Sequence, residues 1–334
     1  MRTTIYGATT LWLGLILSSC GGASASAEGA STTAAPAASA PNVWESDITA
    51  VFPANTVLVA RLNIDSLRGW SAWPRALSIL DTLRRRDQAF DDAQWSAISQ
   101  HGHEFALGGS FDEANRHDEA LAIVRMDSPV VALGDTPVTE RFGFRSTVNS
   151  ARDYGAAVLD SRTAFFVGDD RIDAELQRLK AGDFASVWTN APMRDVRDAL
   201  NGEQAALTAQ LIPPGPVRLA LFVVGSDELR FDEATAHALA EARAFSARVD
   251  VGQDLHANGF IDASSPAAAA LLATGFQSLV RGYASNIAMS LMGLTPILNR
   301  VTITANASRV SIQVTLTAAE ADSLLTRASL ILGD

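Results

Sequence analysis

The chain has 334 residues, with 26 basic and 37 acidic side chains and a formal net charge of −11. Apolar residues make up 48% and charged residues 19%, which excludes a disordered chain and leaves enough apolar surface for a sizeable core. The length exceeds one small domain, and the acidic balance argues against nucleic-acid binding, which depends on Lys and Arg neutralising phosphates.

The N-terminus starts with Met1-Arg2 and continues through the uncharged stretch Thr3 to Leu17 to Leu17-Ser18-Ser19-Cys20. A charged start, a short apolar run and small residues before a cut mark an export signal. The run is too short to span a bilayer permanently. Cys20 is the single cysteine, so no intramolecular disulfide can form and the fold must rest on packing.

The tetrapeptide ending at Cys20 resembles the lipobox of bacterial lipoproteins. That resemblance covers only the leader. It implies residues 1–19 as a signal peptide cut just before Cys20, with a lipid bearing two acyl chains of the palmitate type joined to the Cys20 sulfur through a thioether and usually a third chain on its amine. Two or three such chains anchor a protein stably, each buried methylene contributing about 0.8 kcal/mol. Gly21 and Gly22 follow in place of an Asp, which in the better-known sorting systems implies the outer membrane. The expected partner is therefore a membrane, reached through lipid.

Residues Gly21 to Pro41 are almost wholly Gly, Ala, Ser, Thr and Pro, with Glu28 the one charge. Such a segment cannot offset its ordering entropy, so residues 20–43 are expected to form a flexible tether reaching about 25 Å.

From Trp44 onward strands and helices alternate. Val57 to Leu62 is strand-like, and Asp65-Ser66 starts a helical region from Leu67 to Arg86 that Pro74 interrupts. Glu119 to Met126, Phe142 to Thr147, Ala156 to Leu159 and Thr163 to Val167 are short strand candidates. Ile172, Leu176 and Leu179 lie on one helical face ending near Gly182. Val217 to Val224 is a near-continuous apolar run expected to be a strand, Asp232 to Arg243 a helix, and Ala247 to Ile261 two strands parted near Gly252-Gln253-Asp254.

Two fragments suggest an internal duplication. Ser161-Arg162 before Phe165 and Val167 matches Ser308-Arg309 before Ile312 and Val314, each a hairpin feeding a helix. Asp65-Ser66 and Asp262 to Ser265 likewise end strands before helices, at a different offset. The expected fold is α+β, with two lobes, 44–215 and 216–334, of antiparallel hairpins layered with helices. With a strand, a helix and hairpins of the form at Thr163 to Asp170, the folded part loosely resembles uncharacterised bacterial envelope proteins, a likeness that implies no activity.

Between Pro266 and Leu298 the only charge is Arg281. Leu272, Phe276, Leu279, Tyr283, Ile287, Leu291 and Leu294 recur every three or four residues, the pattern of an amphipathic helix packed on a sheet rather than of a membrane span. A groove for an apolar ligand or a partner surface is the other reading of this stretch.

For chemistry, no P-loop, G-x-G-x-x-G, G-x-S-x-G, H-E-x-x-H or C-x-x-C occurs. His101, His103 and His117, with Glu104, Asp112 and Glu113, are the weak metal candidates, since imidazoles two apart can converge on an ion; exposed turn histidines are the plainer reading. Asp169, Asp170 and Asp173 fit carboxylates at a helix start better than a cation site. His237 and His256 stand alone. Trp44, Trp70, Trp73 and Trp95 are expected to pack in the first lobe rather than to form a sugar platform.

These readings lead to a lipid-anchored envelope protein with a non-catalytic binding or structural role, no cofactor, and an envelope protein or apolar ligand as partner. A carrier of an apolar molecule and a metal-assisted periplasmic hydrolase are the alternatives.

Overall fold

The computed structural model describes residues 43–87, 92–112, 117–130, 137–149, 154–182, 185–202 and 204–332. The lipobox and the tether up to residue 42 lie outside the described residues, as do Glu113 and the side chains of Asp112 and His117, while Val43, expected as the last tether residue, already belongs to a helix.

Helix α1 (Val43–Ser46) passes through a tight turn at Ile48–Val51 into strand β1 (Thr56–Asn63). Asn63 Oδ1 accepts from the Ser66 N–H at 3.0 Å and so starts α2 (Ile64–Arg68). Helices α3 (Trp73–Asp87) and α4 (Asp92–His101) lead to the long hairpin of β2 (Gly102–Asp112) and β3 (His117–Met126). Strands β4 (Thr139–Arg141) and β5 (Phe144–Asn149) turn about Phe142 and Gly143, whose φ values of 53° and 87° give the twist that a two-residue hairpin loop needs. That turn displaces the expected strand start from Phe142 to Phe144. Strands β6 (Tyr154–Asp160) and β7 (Thr163–Val167) follow, then α5 (Ile172–Ala181), which stops where Gly182 adopts φ 67°.

The second half runs α6 (Ala191–Leu200), β8 (Leu207–Leu211), α7 (Gly215–Val223), α8 (Glu233–Ala240), β9 (Ala244–Val251), β10 (Asp254–Asp262), α9 (Pro266–Ala284), α10 (Ile287–Leu291), α11 (Thr295–Leu298), β11 (Thr302–Asn306), β12 (Arg309–Thr317) and α12 (Ala318–Leu332). The apolar run from Val217, expected as a strand, is helix α7. A short apolar run has no periodicity that separates a strand from a packed helix, Pro216 sits in its first turn where proline is tolerated, and both edges of β8 are already taken by β1 and β9. The expected long helix over 272–294 is broken into three. Asn286 Oδ1 accepts from Ala288 N–H at 2.8 Å to start α10, and Gly293 at φ 64° turns the chain into α11.

The fold is α+β. Among the described residues twelve strands form one sheet in the order β11-β12-β10-β9-β8-β1-β2-β3-β7-β6-β5-β4, each pair antiparallel. Read outward from the central pair, the order repeats: β1-β2-β3-β7-β6 on one side and β8-β9-β10-β12-β11 on the other. The hairpin β6–β7 thus matches β11–β12, as the Ser161 and Ser308 fragments suggested. The second proposed match does not hold, because β1 corresponds to β8 and not to β10. The hairpin β4–β5 occupies the place in the first half that helices α9 to α11 occupy in the second.

Both faces of the first half are covered. On β3, Leu121 and Ile123 join one core with Ile172, Leu176 and Met193, while Ala122 and Val124 join another with Leu67, Trp73 and Ile98, as the period of two along a strand dictates. A third core in the second half holds Phe245, Ile261, Leu272 and Val310. Leu176 is 0% exposed; Leu176→Ala is expected to lower stability by about 3 kcal/mol through lost burial and the cavity left behind, measurable as a lower urea midpoint at unchanged slope.

Thr317 and Glu320 form a capping box at the start of α12. Glu320 Oε2 accepts from Thr317 N–H at 2.9 Å, and Thr317 Oγ1 accepts from Glu320 N–H at 3.3 Å. Hydrogen bonding from Arg300 and then from the Thr317 N–H holds the Glu320 carboxyl below its ordinary 4.5. A carboxyl depressed in the folded state stabilises above its unfolded pKa and loses that contribution as pH falls through the folded value. Amide protection in the first turn of α12 is therefore expected to stay flat above pH 4.5 and to fall below it, read by hydrogen exchange against pH.

Candidate functional site

The described chain begins at a latch. Trp44 is 4% exposed and its indole Nε1 donates to Asp160 Oδ2 at 2.8 Å. Arg125 donates to the carbonyl of Trp44, and to that of Glu45 at 3.2 Å. Arg125 is itself held by Glu104 Oε2 at 3.2 Å, and Glu104 also pairs with Arg61. These three charged residues come from β1, β2 and β3, neighbours at the centre of the sheet, where Glu104 lies opposite Arg125 in the ladder. Glu104 is 7% exposed, so two guanidinium groups neutralise a carboxylate largely withdrawn from water. Asp47 Oδ1 then caps the turn at Ile48–Val51 through Thr49 N–H at 2.9 Å, and Thr49 Oγ1 accepts from Trp188 Nε1 at 3.1 Å. Arg197 stacks 4.3 Å from the Trp188 ring centre. Whatever precedes Val43 thus leaves from a point fastened into the middle of the sheet. No spacing rule in the sequence marks Arg61, Glu104 and Arg125 as partners; they meet only through strand register.

His101 and His103 are exposed, as expected, but they sit at the junction of α4 and β2 and not in a turn. His101 Nδ1 lies 3.2 Å from Asp127 Oδ1, and His103 faces Asp65. Each imidazole has its own carboxylate. The backbone of His117 pairs with Asp112 at the far end of the β2–β3 hairpin from His103. No group of three or more His, Cys, Asp or Glu among the described residues is arranged to hold a metal ion.

Asp169 and Asp170 lie in the turn before α5, whose cap position is Arg171 with no side-chain capping bond; Asp173 is in the first turn and pairs with Arg141 at 2.7 Å. Asp173 keeps the expected helix-start position, whereas capping by Asp169 and Asp170 is not seen, because the turn closes through the Arg171 N–H to the Gly168 carbonyl at 3.0 Å. Trp44 packs in one core and Trp70 and Trp73 in another, while Trp95 lies 6.0 Å from the Arg84 guanidinium. They are packing residues on opposite faces, not a platform. His237 is exposed beside Phe222, ring centres 4.6 Å apart, and His256 Nδ1 lies 3.0 Å from Thr315 Oγ1 on the sheet surface.

The apolar stripe of the 266–298 region divides in two. Leu272 is 0% exposed within the third core, against which Phe276 and Val280 pack. Beyond them Tyr283, Ile287, Leu291 and Met292 stand in solvent, Ile287 and Leu291 at 77% and 85% exposure. The stripe outruns the sheet that covers its first half. No helix among the described residues is long and apolar enough to cross a membrane.

Comparison with known proteins gives a fold likeness only. No family model matches the chain, and no curated protein matches it. Among solved structures it is similar to TP0453 in crystal form I, with a TM-score of 0.46 and 12% identity over 84% of this chain and 96% of that one. Crystal form III of the same protein gives 0.43 and 10% over 84% and 97%. The class defined by the structure is an α+β protein built on one long antiparallel sheet with a repeated strand order.

Proposed function

We propose that the protein is a bacterial lipoprotein of the cell envelope, moored through Cys20, whose folded body binds a partner and performs no catalysis. The single observation that carries this is the placement of the only cysteine at the end of Leu17-Ser18-Ser19-Cys20, directly after an export signal and before a tether. The latch at Trp44 supports it, since a body hung on a tether needs its attachment point held firmly. Gly21 and Gly22 favour the outer membrane.

The hydrolase reading draws no support from His101 and His103, each of which is paired with a separate carboxylate. A carrier would need room between α9 and the sheet, where Leu272 and Ala269 are fully buried against Ile303 and Val310; a partner surface fits that packing better. Intact-mass spectrometry of protein extracted from membranes tests the reading. The expected mass is that of a chain starting at Cys20 plus one diacylglyceryl group, with or without a further acyl chain on the amine; an unmodified thiol, or a different N-terminus, would refute it.

A further inference from the structure

No acidic residue lies between Asp262 and Glu320, although the chain carries 37 of them. Helices α9 to α11 fall inside this acid-free stretch, as do five of the nine exposed large apolar side chains among the described residues: Leu271, Tyr283, Ile287, Leu291 and Met292. Four arginines bear on the region, and they divide in two. Arg300 pairs with Glu320 at 2.6 Å and Arg309 with Asp262 at 2.7 Å. Arg281 instead donates only to the Gln277 carbonyl at 3.2 Å and to Ser278 Oγ at 3.4 Å. Arg327 of α12 packs its guanidinium against Gly293, beside the exposed apolar side chains. Neither of these two has a carboxylate within ion-pair distance among the described residues. An acidic protein therefore presents one end that combines bare Ile, Leu and Met with cations whose charge is not cancelled. That combination matches the boundary of an anionic bilayer, where apolar side chains enter the acyl region and cations meet phosphate.

We propose that this end of the protein docks on an anionic phospholipid surface, with Ile287, Leu291 and Met292 entering the headgroup boundary and Arg281 and Arg327 meeting lipid phosphates. The inference rests on the lipoprotein reading only for the nearness of a bilayer. Its structural basis is exposure and charge. A second copy of the chain is the competing occupant, and charge disfavours it, because two like-charged ends would face each other.

The test places an environment-sensitive dye on Ser290→Cys in the full lipidated chain, reconstituted in phosphatidylcholine vesicles with and without phosphatidylglycerol. Val138→Cys, exposed in the other half of the chain, is the control. Dye at 290 is expected to shift to the blue and to be quenched by nitroxide-bearing lipid in the anionic vesicles, while dye at 138 does neither. Ile287→Asp with Leu291→Asp should reduce the docked fraction at least tenfold, and Arg281→Glu or Arg327→Glu about fivefold each, in anionic vesicles only. All four positions face solvent or lie near it, and unchanged melting curves exclude misfolding. Water-like emission at 290 in every vesicle overturns the proposal, as does a blue shift that needs no vesicles and grows with protein concentration. A second dye found on Cys20 by intact mass marks failure of the lipoprotein reading alone, and the Cys20→Ser background then reads docking separately.

Discussion

Under the proposed lipoprotein reading, Cys20→Ser is expected to abolish acylation and to stop processing of the leader, so that the protein no longer reaches the outer-membrane fraction. The chemistry leaves little room for a partial effect. A serine hydroxyl is far less nucleophilic than a thiolate, and removing two acyl chains removes on the order of 20 kcal/mol of transfer free energy at about 0.8 kcal/mol per methylene. No patch of exposed side chains replaces that. The uncut leader, Thr3 to Leu17, can itself keep the variant at the inner membrane. Total membrane pelleting is therefore the wrong readout. Metabolic labelling with an alkyne fatty acid, together with density-gradient separation of the two membranes, reads the acyl transfer and the destination. Label retained on Cys20→Ser would place the modification elsewhere and remove the basis for the proposed anchoring.

Glu104→Gln is expected to be the most destabilising of the surface-silent substitutions, by about 3 kcal/mol. The amide matches the carboxylate in shape but cannot neutralise Arg61 and Arg125, whose side chains are 28% and 23% exposed against 9% for Glu104. Both guanidinium groups would keep their charge while losing its counterpart in a region mostly shut off from water. Their partial exposure keeps the cost near the lower end of the range for a broken buried pair. Stability of a domain is only about 5–15 kcal/mol, so the loss should appear as a large fall in the urea midpoint. Because Arg125 also holds the carbonyls of Trp44 and Glu45, Glu104→Gln and Trp44→Ala should cost less together than the sum of each alone. Additive costs would mean that the triad and the N-terminal latch are energetically separate, and a change below about 1 kcal/mol would mean that the charges are solvated.

Local signals were legible where one residue type forces one geometry. Gly182 ends α5 at positive φ, Gly252-Gln253-Asp254 parts β9 from β10, and the strand Arg309–Thr317 after the turn at Ser308 carries an alternating pattern that a period of two makes readable on its own. The run from Val217 was misread as a strand because, without periodicity, only the occupied edges of β8 decide that it must be a helix. The candidate site was less legible still. Glu104 was noticed beside two histidines as a ligand, whereas strand register makes it the counter-ion of Arg61 and Arg125.

The amino-acid sequence by itself determined the features whose information is contiguous: a lone cysteine closing Leu17-Ser18-Ser19-Cys20, a low-complexity segment after it, an acidic composition and the apolar stripe from Leu272 to Leu294. Only the tertiary structure decided which strands lie side by side, that their order repeats about the β1–β8 pair, and that the stripe is buried at Leu272 but bare at Ile287 and Leu291. The physical reason is one of range. A turn or a helix period is fixed by neighbours a few residues away, but burial depends on what the rest of the chain brings to the other side, and the sheet ends before the stripe does.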